Sequence, residues 1–171
     1  MFARNSVCAF STERVGLTSA GLLDALLDPA VKLGTAAPVT DPLGDYTWQM
    51  FKRADALKPG SAAVLEKKAR PLIGSPSQPP GGQDLVATAL NDRTVDVFLA
   101  YCSGRSRLEG RVAGLTVVAL PAALAVGPEY GLALLTAARP QAAALMLFIL
   151  SPAGQRALAK QGFTPIGLPA P

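Results

Sequence analysis

The sequence predicts an α/β fold, in which strands and helices alternate around a mainly parallel sheet. Half of the 171 residues are apolar and only 16% are charged, a balance typical of a folded chain with a large buried fraction. The 15 prolines and 16 glycines divide the chain into short segments, whose hydrophobic period switches between that of strands and that of helices. The length is sufficient for one substantial domain or slightly more.

The N-terminal part of the chain contains two strand-like segments and one helix-like segment. Residues 5–10 (NSVCAF) and 31–38 (VKLGTAAP) are short apolar runs, which predict buried strands. Between them, leucines recur at helical spacing, with Thr18 or Ser19 as the helix cap and Pro29 as the stop.

The alternation continues through the rest of the chain. A helix is predicted from Asp41 to about Leu57, and a second helix over residues 59–70 with Ser61 as its cap. Residues 71–82 are predicted to open as a brief strand and to continue as a loop, and residues 83–92 to form a helix. Further strands are predicted over residues 94–102, 114–121 and 129–138. Two helices are predicted within residues 140–163; they break at Pro152, and Ser151 caps the second.

Charge and residue usage exclude several classes of function. The net charge of +4 is spread thinly, and its densest clusters are not interleaved with aromatic residues, so we expect no nucleic-acid partner. These clusters are Lys67, Lys68 and Arg70, and Arg105, Arg107 and Arg111. Histidine is absent, which removes the usual base of a serine or cysteine nucleophile, and with two cysteines a tetrahedral zinc site is not expected.

The sequence shows neither an export signal nor a membrane span. The opening MFARNSVCAF lacks a basic stretch followed by a long apolar core, so no secretory signal is visible in this chain. The longest apolar run, residues 142–150, is too short to cross a bilayer. Cys8 and Cys102 each lie in or at the end of a strand-like run, and could be buried thiols or, in an oxidising compartment, a disulfide between neighbouring strands.

A glycine-marked helix start at DPLG is the first candidate for a binding site. Asp41 is the predicted N-cap and Pro42 the first helical residue, where its missing N–H costs nothing. The backbone N–H groups of Leu43 and Gly44 then have no intrahelical partner, and Gly44 lets a ligand approach closely. Such a helix start attracts an anion through its free donors and its partial positive charge.

Two further elements point to the same edge of the sheet. A second helix start, at PPGGQDL, has its free N–H groups at about Gly82, Gln83 and Asp84. Tyr101 ends the strand DVFLAY and would place a phenol where ligands of α/β sheets bind. Plain helix capping explains each start alone, so only the co-occurrence of the three elements indicates a site.

Acidic residues at these helix starts weaken the prediction of an anion site. Asp41, Asp45 and Asp84 carry carboxylates that can take the free N–H groups themselves and repel an anion. The sequence leaves open which of the two, ligand or carboxylate, these donors serve.

Four segments resemble the periplasmic molybdate-binding proteins of ABC importers, which have the two-lobed type II solute-binding fold. The segments are FARNSVCAF, DPAVKLGTAAPVTDPLGDYTWQMF, VDVFLAYC and YGLALL…LFILSPAGQRALAKQGFTPIG, and the match runs from Phe2 to about Leu168. The resemblance implies a binding protein rather than an enzyme, with molybdate or tungstate as ligand, no resident cofactor and no directly coordinated metal. The implied partners are the membrane subunits of the importer, and the implied location is the periplasm.

The same resemblance implies which residues hold the oxyanion, using neutral donors only. Backbone N–H groups at Leu43, with Gly44, and at Gln83 or a neighbour would bind it, together with the phenol of Tyr101. The supporting residues would be Asp41, Pro42 and Gly82. Leu43 is larger than the small residue expected at its position, which a backbone donor tolerates.

The resemblance also implies a division into lobes. Residues 1–5 would cross into lobe two, residues 6–115 would form one complete three-layer lobe, and residues 116–171 would cross back and supply the C-terminal elements of an incomplete lobe one. Members of this family begin with a lobe-one segment that supplies two serine loops, so this chain would be a truncated binding protein that binds weakly or not at all by itself. The apolar run 142–150 would then be exposed and favour a homo-oligomer.

Two other functions remain open from the sequence. An effector-sensing domain of a transcriptional regulator can share this fold, although the sequence shows no DNA-binding helix–turn–helix segment. A small α/β enzyme without histidine would depend on Asp, Glu, Lys, Tyr or Cys chemistry, with Asp96 and Tyr101 as the first residues to mutate. Asp96 lies at a strand start, where a structural role is the better interpretation.

Overall fold

The structure is a computed structural model and describes residues 1–76 and 84–166. Its strands are β1 (Ala3–Arg4), β2 (Val7–Thr12), β3 (Leu33–Ala36), β4 (Arg70–Ile73), β5 (Val97–Tyr101), β6 (Leu115–Ala119), β7 (Glu129–Tyr130) and β8 (Thr164–Pro165). Its α-helices are α1 (Leu22–Leu27), α2 (Pro42–Leu57), α3 (Ser61–Lys68), α4 (Leu85–Asn91), α5 (Arg105–Leu108), α6 (Pro140–Leu150) and α7 (Pro152–Lys160). Every helix predicted from the sequence is present, which confirms the α/β class.

The main sheet has five strands in the order β4-β3-β5-β2-β6. β3 is parallel to β4 and β5, whereas β2 is antiparallel to both β5 and β6. Four strands therefore point the same way, and β2 is inverted between β5 and β6. The prediction of a mainly parallel sheet misses this inversion, which arises because the chain enters β2 at the edge where β5 ends.

The core of the main sheet consists of aromatic and aliphatic side chains from its strands and from α2. Phe10 of β2 and Phe98 of β5 are directly opposite each other in the sheet and are fully buried. Met50 and Phe51 of α2 are also fully buried, because α2 packs against β2, β3 and β5. Contacts of this kind supply most of the favourable free energy of folding.

A second, small sheet has the strand order β7-β1-β8, and all its described pairs are antiparallel. The predicted strand over residues 129–138 is wrong beyond Tyr130, since only Glu129–Tyr130 pairs. Gln155 of α7 connects this region: its amide nitrogen donates to the carbonyls of Phe2 and Ile149 at 2.9 Å each, and its oxygen accepts from the Ile166 N–H at 2.6 Å.

Two predicted helix caps have different outcomes. Ser151 caps α7 as predicted, because its hydroxyl accepts from the Gly154 N–H at 3.2 Å. Ser61 does not cap α3: Gly60, in the left-handed region at φ 89°, precedes the helix, and the Asp55 carboxylate accepts from the N–H groups at this helix start. A carboxylate from the preceding helix has replaced the hydroxyl predicted from local sequence.

Within residues 1–76 and 84–166, no single helix has the length and apolar character that a membrane crossing needs. α6 and α7 reach that length only when taken together, and a bend of 68° separates them.

Candidate functional site

A cleft of about 450 Å³ lies at the carboxyl edge of the main sheet, and we call it the edge cleft. Ile73 and Tyr101, the last residues of β4 and β5, form part of its wall. Leu43 and Val86, in the first turns of α2 and α4, form another part, and Gln161 joins them from the end of α7. The cleft thus lies at the position where open α/β sheets bind their ligands.

The first turn of α2 is held in place from below by two buried hydroxyls. The Thr47 hydroxyl donates to the Leu43 carbonyl at 2.8 Å, and the Thr35 hydroxyl of β3 donates to Thr47 at 3.0 Å. Leu43 is itself buried. The start of α2 is therefore fixed against the sheet, so its backbone donors have a defined direction.

The backbone N–H of Leu43 is not free in this structure. Asp41 is the N-cap, as predicted, and its Oδ1 accepts from the Leu43 N–H at 2.8 Å. The Gly44 N–H donates to the Asp41 carbonyl at 2.9 Å. The prediction of two unpartnered donors is therefore wrong, because an acidic N-cap satisfies the nearest amide itself.

Gly44 serves the chain's own packing. A Cβ atom at this position would lie 2.3 Å from the backbone carbon and oxygen of Ala37 and 2.5 Å from the Pro38 nitrogen. The close approach that the sequence predicted thus belongs to the loop between β3 and α2. Gly44 is needed so that this loop can pass over the helix start.

The second predicted helix start is only partly described. Gly82 and Gln83 lie outside the described residues, so their predicted roles stay predictions. Asp84 is the N-cap of α4, and its Oδ1 accepts from the Ala87 N–H at 3.4 Å. The α4 helix start therefore has an acidic cap, as the α2 start does.

Tyr101 lies in the wall of the edge cleft as the sequence predicts. Burial, and to a smaller extent the charges of the nearby Tyr130, Asp41, Tyr46 and Asp45, together raise the pKa of its phenol to about 12. Both effects disfavour the phenolate, so the hydroxyl keeps its proton near neutral pH and can donate a hydrogen bond.

Polar residues that the sequence analysis did not assign to a site also line the edge cleft. Ser103, Ser106 and Arg107 follow Tyr101 directly, in the turn and short helix after β5. The Ser103 hydroxyl accepts from the buried Asn5 side chain at 2.8 Å, which connects the cleft wall to the N-terminal crossing. The basic cluster around Arg107 was the available signal, but the sequence did not show which of its members faces the cleft.

Cys8 and Cys102 form a disulfide, one of the two alternatives that the sequence left open. Their Cα atoms are 5.0 Å apart, because β2 and β5 are neighbours and the Cys102 N–H donates to the Ser6 carbonyl at 2.8 Å. Cys102 stands between Tyr101 and Ser103 in the chain. The disulfide thus anchors the wall of the cleft to the sheet.

Asp96 has a structural role. Its carboxylate accepts from the Lys32 N–H and from the Arg14 guanidinium, each at 2.9 Å, and these contacts tie the start of β5 to neighbouring segments. Burial would raise the pKa of the Asp96 carboxyl, but the hydrogen bonds from Lys32 and Arg14 and their charges outweigh it and leave this pKa lowered. Such a group is a poor proton acceptor for catalysis.

Two other observations concern metal binding and a second depression on the surface. In the part of the chain that the structure describes, no group of three or more Asp, Glu or Cys side chains is arranged to hold a metal ion. A larger depression of about 690 Å³ lies along α2, where Tyr46, Trp48 and Lys52 line it. It lacks the strand ends that converge on the edge cleft.

The chain belongs to the bacterial extracellular solute-binding protein family, whose model matches residues 1–164. Membership implies a periplasmic or extracellular location and a function in binding a solute. An uncharacterized protein of Pasteurella multocida (strain Pm70) is 28% identical over 168 residues, which are 96% of this chain and 68% of that protein.

Three solved structures illustrate the similarity of the fold. The substrate-binding domain assigned to a molybdenum ABC transporter from Clostridium difficile has a TM-score of 0.65 at 16% identity. The match covers 96% of this chain and 65% of the C. difficile chain. PEB3 of Campylobacter jejuni with bound L-phospholactate has a TM-score of 0.66 at 10% identity, covering 96% and 66%. The sulfate-binding protein SubI of Mycobacterium tuberculosis H37Rv has a TM-score of 0.69 at 17% identity, covering 97% and 58%.

These similarities show the type II solute-binding fold. The chain spans about two thirds or less of the length of these structures. The family is one of solute-binding proteins, and two of the three structures are named as a substrate-binding domain and a sulfate-binding protein.

Proposed function

We propose that this chain is the substrate-binding component of an ABC importer in the periplasm and that its edge cleft holds a tetrahedral oxyanion. Molybdate and tungstate are the ions that the sequence resemblance implies, and the membrane subunits of the importer are the partners. The observation that carries the proposal is that Leu43, at the start of α2, and Tyr101, at the end of β5, line one cleft at the carboxyl edge of the sheet.

The ligands named for the structurally similar proteins support a tetrahedral ligand for this cleft. The names of the three solved structures refer to molybdenum, to sulfate and to an organic phosphate, and oxyanions of these elements share tetrahedral geometry. Tyr101 suits such a ligand because its phenol is a neutral hydrogen-bond donor near neutral pH. The regulator alternative gains no support from these similarities.

Asp41 determines how an oxyanion could enter. Its carboxylate holds the Leu43 N–H that the ligand would use and also lines the cleft. An anion must therefore displace Asp41 from this donor and overcome its charge. Since the chain also spans only part of its relatives' length, we expect weak binding by the chain alone, best followed by NMR chemical-shift titration.

The test replaces Asp41 and a matched neighbour. Asp41→Asn keeps a capping side chain but removes the charge, so molybdate should bind about three- to tenfold more tightly. Asp45→Asn is the control, since Asp45 holds the Val39 N–H at 2.8 Å in the same way but does not line the cleft. Each variant is titrated with molybdate, tungstate, sulfate and phosphate at fixed ionic strength.

The outcomes separate the possibilities. Saturable shifts of cleft residues, with binding strengthened clearly more by Asp41→Asn than by Asp45→Asn, support the proposal. If none of the four anions shifts the cleft residues in any of the three proteins, an oxyanion-binding function for this cleft is rejected.

We also propose that the chain forms a homo-oligomer through its C-terminal apolar surface, which we define as the exposed side chains of α6. Leu145, Leu147 and Phe148 are 59%, 65% and 53% exposed, and such a patch favours association. Light scattering should give a mass above that of the monomer, and Phe148→Ser should lower it. A monomeric wild type would contradict this proposal.

A further inference from the structure

The edge cleft contains one feature that differs from the set of neutral donors implied by the resemblance. Arg107, in α5, is the only cationic side chain among the described residues that line the cleft. Its side chain is 51% exposed, so part of it is available to a ligand. A guanidinium differs from a hydroxyl or an amide because it presents five donors in a planar fork that matches carboxylate and phosphate groups.

Arg107 is held in position by a buried carboxylate. Its Nη1 lies 2.6 Å from Asp84 Oδ2, and the Asp84 side chain is only 6% exposed. That oxygen has no hydrogen bond of ordinary geometry, so the guanidinium charge is what offsets its own. The other oxygen of Asp84 caps α4, which fixes the carboxylate to the backbone.

The ion pair with Asp84 reduces the entropy that the Arg107 side chain would lose on binding a ligand. A free arginine loses side-chain entropy when it binds, which cancels much of what a contact contributes. Asp84 has already restricted Arg107, and the ion pair involves only one of its terminal nitrogens. Arg107 lines the cleft together with Ser103 and Ser106, so its remaining donors belong to the same wall as these two hydroxyls.

We propose that Arg107 is a specificity-determining residue that binds an acidic group of the ligand. The ligand class would be a small organic anion that carries a carboxylate in addition to its tetrahedral oxyanion. The inference rests on the proposed function, since it assumes that the edge cleft binds the oxyanion group near Leu43 and Tyr101.

The size of the cleft is consistent with this class. A volume of about 450 Å³ lies within the range of organic-ligand sites, roughly 300–1,000 Å³. A water molecule occupies about 30 Å³ of the liquid, so a bare oxyanion of five heavy atoms would leave most of the cleft to solvent. A second acidic group could reach the wall that Arg107 forms.

The experiment measures a preference between two anions. Inorganic phosphate and phospholactate, which adds a carboxylate to a phosphate ester, are titrated into the chain by NMR at fixed ionic strength. The wild type should bind phospholactate about tenfold more tightly, as expected for one charged hydrogen-bonded contact. Arg107→Gln should abolish this preference.

Two further variants control for folding and charge. Arg105→Gln removes the same charge from the same helix, but Arg105 pairs with Glu109 at 2.8 Å and does not line the cleft, so the preference should persist. Arg107→Lys keeps a cation near Asp84 and so protects folding, but it lacks the planar fork and should reduce the preference partially.

Each outcome has a distinct meaning. If the wild type binds both anions equally, or if Arg107→Gln and Arg105→Gln have the same effect, the role of Arg107 is rejected while the proposed function stands. If the wild type binds neither phosphate, phospholactate nor the other oxyanions, the proposed function fails and this inference fails with it.

Discussion

The main sheet and the C-terminal region, which comprises α6, α7 and β8, bury their apolar side chains to very different extents. Phe10, Phe51 and Phe98 of the main sheet and α2 are fully buried. In α6, by contrast, no residue is buried, and Leu147 and Phe148 are 65% and 53% exposed. The first region therefore has a core of its own, whereas α6 presents apolar surface that calls for a covering partner.

This difference also separates the functional roles of the two regions. Most of the described residues that line the edge cleft belong to the main sheet and its helices, and among them Gln161 alone comes from the C-terminal region. Gln155 shows that the C-terminal region is nevertheless tied to the chain start, through its hydrogen bond to the Phe2 carbonyl. The site thus rests on the better-packed part of the molecule.

The largest expected effect compares two phenylalanines, one from each region. Phe98→Ala should cost about 3–5 kcal/mol in free energy of unfolding, because it opens a cavity in a closed core. Phe148→Ala should change it by less than about 0.5 kcal/mol in the monomer. Urea unfolding followed by the fluorescence of Trp48, the single tryptophan, measures both. Equal effects would show that the regions do not differ in packing.

Two glycines sharpen the comparison at the level of the backbone. Gly44→Ala places a Cβ atom 2.3 Å from the Ala37 backbone and should destabilise the chain by about 1–3 kcal/mol. Gly131→Ala, just after β7, meets no atom within 4 Å and should change stability by less than about 0.5 kcal/mol. Thermal unfolding compares the two, and a neutral Gly44→Ala variant would contradict the account of the β3–α2 loop.

The smallest expected effect concerns the Asp96 carboxylate. Asp96→Asn should lower stability by about 1–2 kcal/mol near neutral pH, since its hydrogen bonds involve a charged acceptor. The pKa of this carboxyl is lowered in the folded state, so its contribution is complete above about pH 4 and is lost as the pH falls through the folded-state value.

The measurement is urea unfolding of both proteins at pH 7 and at low pH. The stability difference should shrink on acidification. Asp92→Asn, at an exposed position after α4, serves as the control for the loss of a carboxylate that makes no contact with Lys32 or Arg14. A difference that does not depend on pH would count against the ionised Asp96 as its source.

Local sequence signals predicted the helices well and predicted non-local partners poorly. The Asp41 cap, Pro42 at the first helical position and Tyr101 at a strand end depend on neighbours in sequence, and all three are found. The inverted direction of β2 and the contact between Arg107 and Asp84 depend on residues far apart in the chain. No periodicity encodes such pairings.

The segment after Tyr130 shows a different limit of sequence reasoning. Residues 131–138 have the apolar character of a strand, yet Leu135 is 76% exposed and this segment pairs with no strand in the described ranges. A strand needs a neighbour as well as a suitable composition. The Leu43 amide is a second example: the sequence pattern predicted a free N–H, but this group donates to the Asp41 carboxylate.

The most direct test of the central claim compares a backbone amide in the first turn of α2 with one in the loop that precedes it. Leu43 and Val39 each donate to an aspartate carboxylate at 2.8 Å, but only Leu43 lines the edge cleft. In an NMR titration with molybdate, we expect the Leu43 amide signal to shift progressively to saturation while the Val39 signal stays in place. A Leu43 signal that does not move, or that moves no more than Val39, would contradict the claim that this helix start binds the oxyanion.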